Sequence, residues 1–222
     1  MKYVFPLIDQ VFDTEMEQVN TLVIEHQKLL VMLLSDLYDQ LQGKDGKAVI
    51  SKNDSVLRTD KNAELLHQFV PFDLNKKVLV SKLLVAMEKC AVDEDHYAET
   101  MRLLSEIEAY LRGISFDFAC DIDFGKLGIS AVLKAAGLEF RSDKESLAMQ
   151  ILDYFELVTE FEQNKLFFTL NLRSFISDEE AKHMIDSVLK HGYNMIMIES
   201  SEHPLLPNER RYIVDSSLCE IC

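Results

Sequence analysis

The chain has no tryptophan, only four prolines and only seven glycines in 222 residues, and no glycine sits in a phosphate-cradling motif. Neither Gly-x4-Gly-Lys-Ser/Thr nor Gly-x-Gly-x-x-Gly occurs, which removes the two Gly-rich loops that hold nucleotide phosphates on backbone N–H groups. No apolar run approaches the roughly 20 residues of a membrane-spanning helix. The start, Met1 to Pro6, offers no apolar stretch of signal-peptide length before Asp9. A cytoplasmic protein without membrane contact is the expectation. The six histidines (His26, His67, His96, His183, His191 and His203) include no His-x3-His pair, and Gly-x-Ser-x-Gly is missing. Cys90, Cys120, Cys219 and Cys222 supply one Cys-x-x-Cys, at the C-terminal end. A closed zinc site takes four ligands, so these read as ordinary reduced thiols. The absence of a catalytic constellation lowers the expectation of an enzyme without closing the case.

What is present is apolar and acidic. Hydrophobic residues make up 48%, enough for a packed core, and the formal net charge is −15. Acid is unevenly spread. Lys44 to Lys89 carries nine basic and six acidic residues, whereas Asp93 to Asp123 carries nine acids against Arg102 and Arg112. An acidic chain can still hold a polyanion if its bases line one surface and its acids face elsewhere.

Hydrophobic spacing predicts alternating strands and helices. Tyr3 to Leu7 and Thr21 to Glu25 read as strands. From His26 to Leu41, Leu29, Leu30, Leu33, Leu34, Leu37 and Leu41 recur at helical spacing, with Gly43 at the C-cap position. Ala48 to Ile50 and Leu65 to Phe72 are further strand candidates. The middle reads as helical. Asn75 is placed to cap one helix, Asp93 a longer one, and Ser142 or Asp143 another with Leu147, Ile151, Phe155 and Val158 on one stripe. Leu127 to Ala136 is a short helix before Gly137, and Ile114 to Phe124 is a connection. Lys165 to Asn171 and Asn194 to Glu199 are apolar runs of buried-strand length. They flank a helix opened by Ser177 and ended by Gly192, which makes a crossover in a largely parallel sheet. Tyr212 to Asp215 is a last strand.

Such a sheet invites comparison with ATPases. Asn171 ends its strand where an ATPase places a magnesium-binding Asp, and Asn is a poor substitute for that carboxylate. Glu199 ends the neighbouring strand. A degenerate relic of an ATPase sheet, with no bound nucleotide, is the reading.

Several segments together resemble the Csn family of type II-A CRISPR adaptation modules. They are Phe5 to Asp9, Thr21 to Glu25, Phe72 to Asn75, the stretch from Asn164 through the Ser177 helix to Glu199, and Tyr212 to Asp215. The order and spacing agree over nearly the whole chain. The resemblance implies an α/β fold: a degenerate P-loop-ATPase-like head with a mainly parallel sheet (1–74 and 164–222), and an α-helical leg lobe (75–163) inserted in mid-chain. It implies a non-catalytic homotetrameric ring that threads onto double-stranded DNA ends without reading sequence. The partners it implies are the CRISPR integrase complex and the effector nuclease of spacer acquisition.

The same resemblance implies phosphate contacts from lysines of the net-positive segment, Lys52, Lys76, Lys77 and Lys82. It also implies calcium at the acidic turn holding Asp117, Asp121 and Asp123, although Gly125 and Lys126 stand where the family tends to place acids. On the residues alone, two other classes stay open: a protein-interaction module without DNA affinity, and a nucleotide hydrolase.

Overall fold

The computed structural model describes residues 1–141, 143–162 and 165–221. Ser142 as a helix cap, Asn164 as a boundary of the head and Cys222 of the terminal pair therefore lie outside the described residues. The chain divides into two compact units, one built from Met1–Asp73 with Ser142–Cys222 and the other from Leu74–Arg141.

The first unit opens with two short strands, β1 (Lys2–Val4) and β2 (Val11–Asp13). Strand β3 (Val19–Ile24) and helix α1 (Gln27–Leu41) follow, then β4 (Val49–Lys52), β5 (Ser55–Leu57), the single-turn α2 (Thr59–Asn62) and β6 (Ala63–Leu66). His26 caps α1, its Nδ1 accepting from Leu29 N–H at 3.2 Å. The chain returns to this unit with α6 (Leu147–Glu162), β7 (Leu166–Leu170), α7 (Asp178–His191), β8 (Asn194–Glu199), β9 (Glu209–Val214) and β10 (Glu220–Ile221).

Helix α7 has the end signals its sequence promised. Ser177 Oγ accepts from Glu180 N–H while the Glu180 carboxylate accepts from Ser177 N–H, a reciprocal capping box. Gly192 closes the helix at φ +69°, a left-handed conformation that costs glycine little.

Among the described residues, ten strands make two sheets. The smaller is antiparallel in the order β2-β1-β4-β5; the larger runs β10-β9-β3-β8-β7-β6, with only β10 antiparallel to its neighbour. The expected strand at Tyr3 to Leu7 is thus only Lys2–Val4, and β2 and β5 had no signal of their own. Alternation along the parallel strands sends Leu22, Ile24, Phe168, Ile196, Ile198 and Val214 to one face. There they form a core with α1 (Leu29, Leu33, Leu37) and with Tyr3, Phe12 and Ile50 of the small sheet. Tyr3 meets Phe168 edge-on at 4.8 Å between ring centroids. The opposite face carries Phe167, which stacks on Phe155 of α6 at 4.0 Å.

That stacking corrects the boundary of the helical lobe. The resemblance placed α6 in a lobe spanning 75–163, yet Ile151, Tyr154, Phe155 and Val158 are buried in the unit that holds the sheets. An amphipathic pattern says that a helix has an apolar face, not which surface covers it.

The second unit holds α3 (Lys77–Ala91), α4 (Tyr97–Ser115) and α5 (Ile129–Ala135). Asn75 does not cap α3. Its side chain instead clasps Phe140, accepting from the backbone N–H at 2.7 Å and donating to the carbonyl at 3.1 Å. The N-cap residue is Lys76, without a side-chain cap. Asp93 orders the turn ahead of α4, its Oδ1 accepting from His96 N–H at 2.9 Å. Among the described residues no helix is long and apolar enough to cross a membrane.

Candidate nucleic-acid interface and strand-end cluster

Lys76, Lys77 and Lys82 fall in the second unit, and Lys52 in the first, at the end of β4. At about 100° per residue, Lys82 points roughly 120° from Lys76 and 140° from Lys77, so the three do not share one stripe of α3. The residue that does share a stripe with Lys82 is Lys89, seven positions on, and the exposed Val78 and Val85 flank that stripe on one side. Lys77 and Lys89 are exposed, while Lys76 and Lys82 are half-buried and engaged by neighbours. The (i, i+7) spacing of Lys82 and Lys89 was legible in the sequence, and Lys89 belongs with the candidate set. Lys52 lines a recess of about 230 Å³ with Lys2 and Glu15, brought together by the pairing of Lys2 with Ser51 across β1 and β4.

The acidic turn is placed differently from a calcium shell. Asp117, Asp121 and Asp123 are all exposed in the irregular stretch after α4. Asp123 Oδ1 is used locally, accepting from Phe124 N–H at 2.8 Å. Among the described residues, no three His, Cys, Asp or Glu side chains gather closely enough to hold an ion. Calcium takes six to eight oxygens, and the three carboxylates as held do not fit it.

At the carboxyl ends of β7 and β8, where an open parallel sheet binds its ligand, the chain fills the space itself. Asn171 adopts a left-handed conformation (φ 53°), and its Oδ1 accepts from Ser200 N–H at 2.7 Å. Asn171 is thus a neutral clasp between the two strand ends. Two residues on, the Arg173 side chain is only 1% exposed. Its Nη2 donates to Asp178 at 2.7 Å and to the Pro204 carbonyl at 3.1 Å, and its Nη1 lies 3.5 Å from Glu209. Glu209 stands 3.7 Å from Arg211, which pairs with Glu202 at 2.7 Å. Charges therefore alternate along Asp178, Arg173, Glu209, Arg211 and Glu202, stapling the 200–208 strap to α7 and β9. No motif announces this ladder, whose members are up to 38 positions apart.

Glu199 sits beside it, 1% exposed, with Oε1 accepting from Arg173 N–H at 3.2 Å and Oε2 lying 3.6 Å from His203 Nε2. Burial pushes the Glu199 carboxyl up to about 7, against the pull of Arg173. Burial, helped by Arg173, pushes the His203 imidazole below its ordinary value. The two shifts oppose one another. Stability contributed by Glu199 is full below its unfolded value and fades as pH rises toward 7; that from His203 is present above 6.5 and fades as pH falls. Replacing Glu199 by Gln should leave only the second, so the variant gains stability relative to wild type between pH 5 and pH 8. Melting curves across that range check it, and a constant difference would mean that Glu199 ionises normally.

A sequence profile of the family described as CRISPR-associated protein (Cas_Csn2) matches residues 40–218, well over half of the chain. The chain belongs to the Csn2 family. A search of curated proteins finds no match to it. Membership makes this Csn2 protein CRISPR-associated, a component of the type II-A system. The matched span takes in α3, the acidic turn and the strand-end cluster alike.

Proposed function

We propose that this Csn2 protein is a non-catalytic, cytoplasmic, homotetrameric ring that binds double-stranded DNA ends without sequence preference and assists CRISPR spacer acquisition. Its partners in that role are the integrase complex and the effector nuclease. Family membership supplies the CRISPR context. The observation that carries the non-catalytic part of this reading is the strand-end cluster. Asn171, Arg173 and Glu199 are spent on holding the chain's own strap, which suits a degenerate ATPase-like head better than a working hydrolase. The lysines of α3 are point charges suited to phosphate contact.

Self-association is supported by the second unit. Its buried apolar side chains are few, Leu74, Leu79 and Leu104 among them, whereas Leu103, Ile107, Tyr110 and Ile114 of α4 are 38–69% exposed. Their 4-3-4 spacing is that of an a/d seam. A face of this kind finds cover in another copy. Light scattering should therefore give a tetramer, and Ile107→Glu with Tyr110→Glu should reduce it to smaller species with little change in helix content. A wild type that stays monomeric at micromolar concentration ends the ring reading and leaves an interaction module as the better one.

A further inference from the structure

Helix α1 is buried along one side only. Leu29, Leu33 and Leu37 face the sheet core. At about 100° per residue, Val31, Ser35, Tyr38 and Gln42 fall within about 60° of one another on the far side. All four are exposed, Val31 at 62% and Tyr38 at 55%, and Met32 beside them is 48% exposed. Steps of four, three and four residues are the ridge with which one helix packs on another, and Ser35 at mid-stripe is small enough to let a second helix approach closely. Lys28 and Asp39 stand within about 20° of each other on the flank that Met32 borders. Eleven positions of rise part them by about 16 Å, too far to pair within one helix. Among the described residues Lys28 has no ion-pair partner, and the carboxylate of Asp39, still half-exposed, holds the exposed Lys44 at 2.7 Å.

We propose that this stripe of α1 docks on the α1 stripe of a second copy, antiparallel about a two-fold axis that passes close to Ser35. The charge pattern selects this occupant and this direction. An antiparallel pair brings Lys28 of each chain to the Asp39 end of the other, so the stripe is complementary to itself at both ends. Val31 then lies against the partner's Tyr38, and the two chains cover each other's apolar side chains. Parallel pairing would set Lys28 on Lys28 and Asp39 on Asp39, which repels. With one base and one acid on its flank, the stripe offers a polyanion such as duplex DNA no net attraction. The inference rests on the self-associating ring proposed above and supplies a part that reading lacks. A closed tetramer built from isologous contacts needs two different surfaces on each chain. The α4 face is one, and the α1 stripe is the other.

The test is a charge swap on the full chain, read by light scattering across a dilution series. Val31→Glu with Tyr38→Glu should turn tetramers into dimers held by α4, and adding Ile107→Glu with Tyr110→Glu should give monomers. Lys28→Glu alone and Asp39→Lys alone each set like charges together at both ends of the pair. Each should weaken this contact about tenfold or more. The two swaps combined should restore it to within about threefold of wild type. A single chain cannot produce that rescue, because the two positions are about 16 Å apart. The swaps put an acid in the first turn and a base in the last, which suits the helix dipole, so circular dichroism should show unchanged helix content. Tetramers that survive Val31→Glu with Tyr38→Glu, or a double swap as weak as the single ones, overturn the proposal and leave the ring reading standing. A monomeric wild type overturns both.

Discussion

Replacing Arg173 by Met should cost about 3–5 kcal/mol of stability, the usual range for removing one partner of a buried ion pair. Met keeps the apolar stem and removes the guanidinium. Glu209, 5% exposed, then loses one of its two nearby cations, and the Pro204 carbonyl and Asp178 lose their donor. The same change removes a positive charge beside Glu199, which drives that carboxyl further toward its neutral form. For a chain of this size the expected fall in melting temperature is on the order of 10 °C. Adding Glu209→Gln to the Arg173→Met variant should recover part of the loss, because it withdraws the stranded charge. Urea unfolding of the three proteins decides the matter. A single variant within about 1 kcal/mol of wild type would mean that the ladder is solvated and holds nothing.

Strand and helix identities in the second half of the chain were plain in the sequence for local reasons. Leu166 to Leu170 and Asn194 to Glu199 are short apolar runs, and Ser177 with Glu180 and Gly192 bracket α7 with chemistry that acts within four residues. The shortfalls share one cause, contact between distant positions. Strand β2 is three residues long with only Phe12 buried, and exists because Tyr3 stands opposite it. Asn75 looked like a cap and became a clasp for Phe140, 65 positions on. Helix α6 showed its stripe but not the Phe167 ring that covers it.

The candidate site divides the same way. Asn171 and Glu199 were marked by strand position alone, and both occur at the strand ends, but Arg173, Glu209 and Arg211 carried no local signal. The acids at 117, 121 and 123 were singled out by their closeness in sequence, but they stand exposed in the irregular stretch after α4 and do not gather.

The lysine contribution to DNA affinity should be large and visible in salt. The log–log slope of affinity against salt is about −0.9 per phosphate neutralised. Changing Lys76, Lys77 and Lys82 together to Ala should flatten it by up to about 3 units and weaken every duplex sequence alike. Lys82→Ala with Lys89→Ala, on one stripe of α3, should flatten it by up to about 2. Specific base reading is not expected, since scattered lysines contact backbone rather than base edges.

Threading is the central claim, and competition between linear and covalently closed circular duplex of the same sequence tests it most directly. A closed ring loads only where the duplex has an end, so the circle should compete poorly at low salt and the linear fragment well. Cutting the circle once should restore full competition. Equal competition by intact circles and linear fragments would contradict the account.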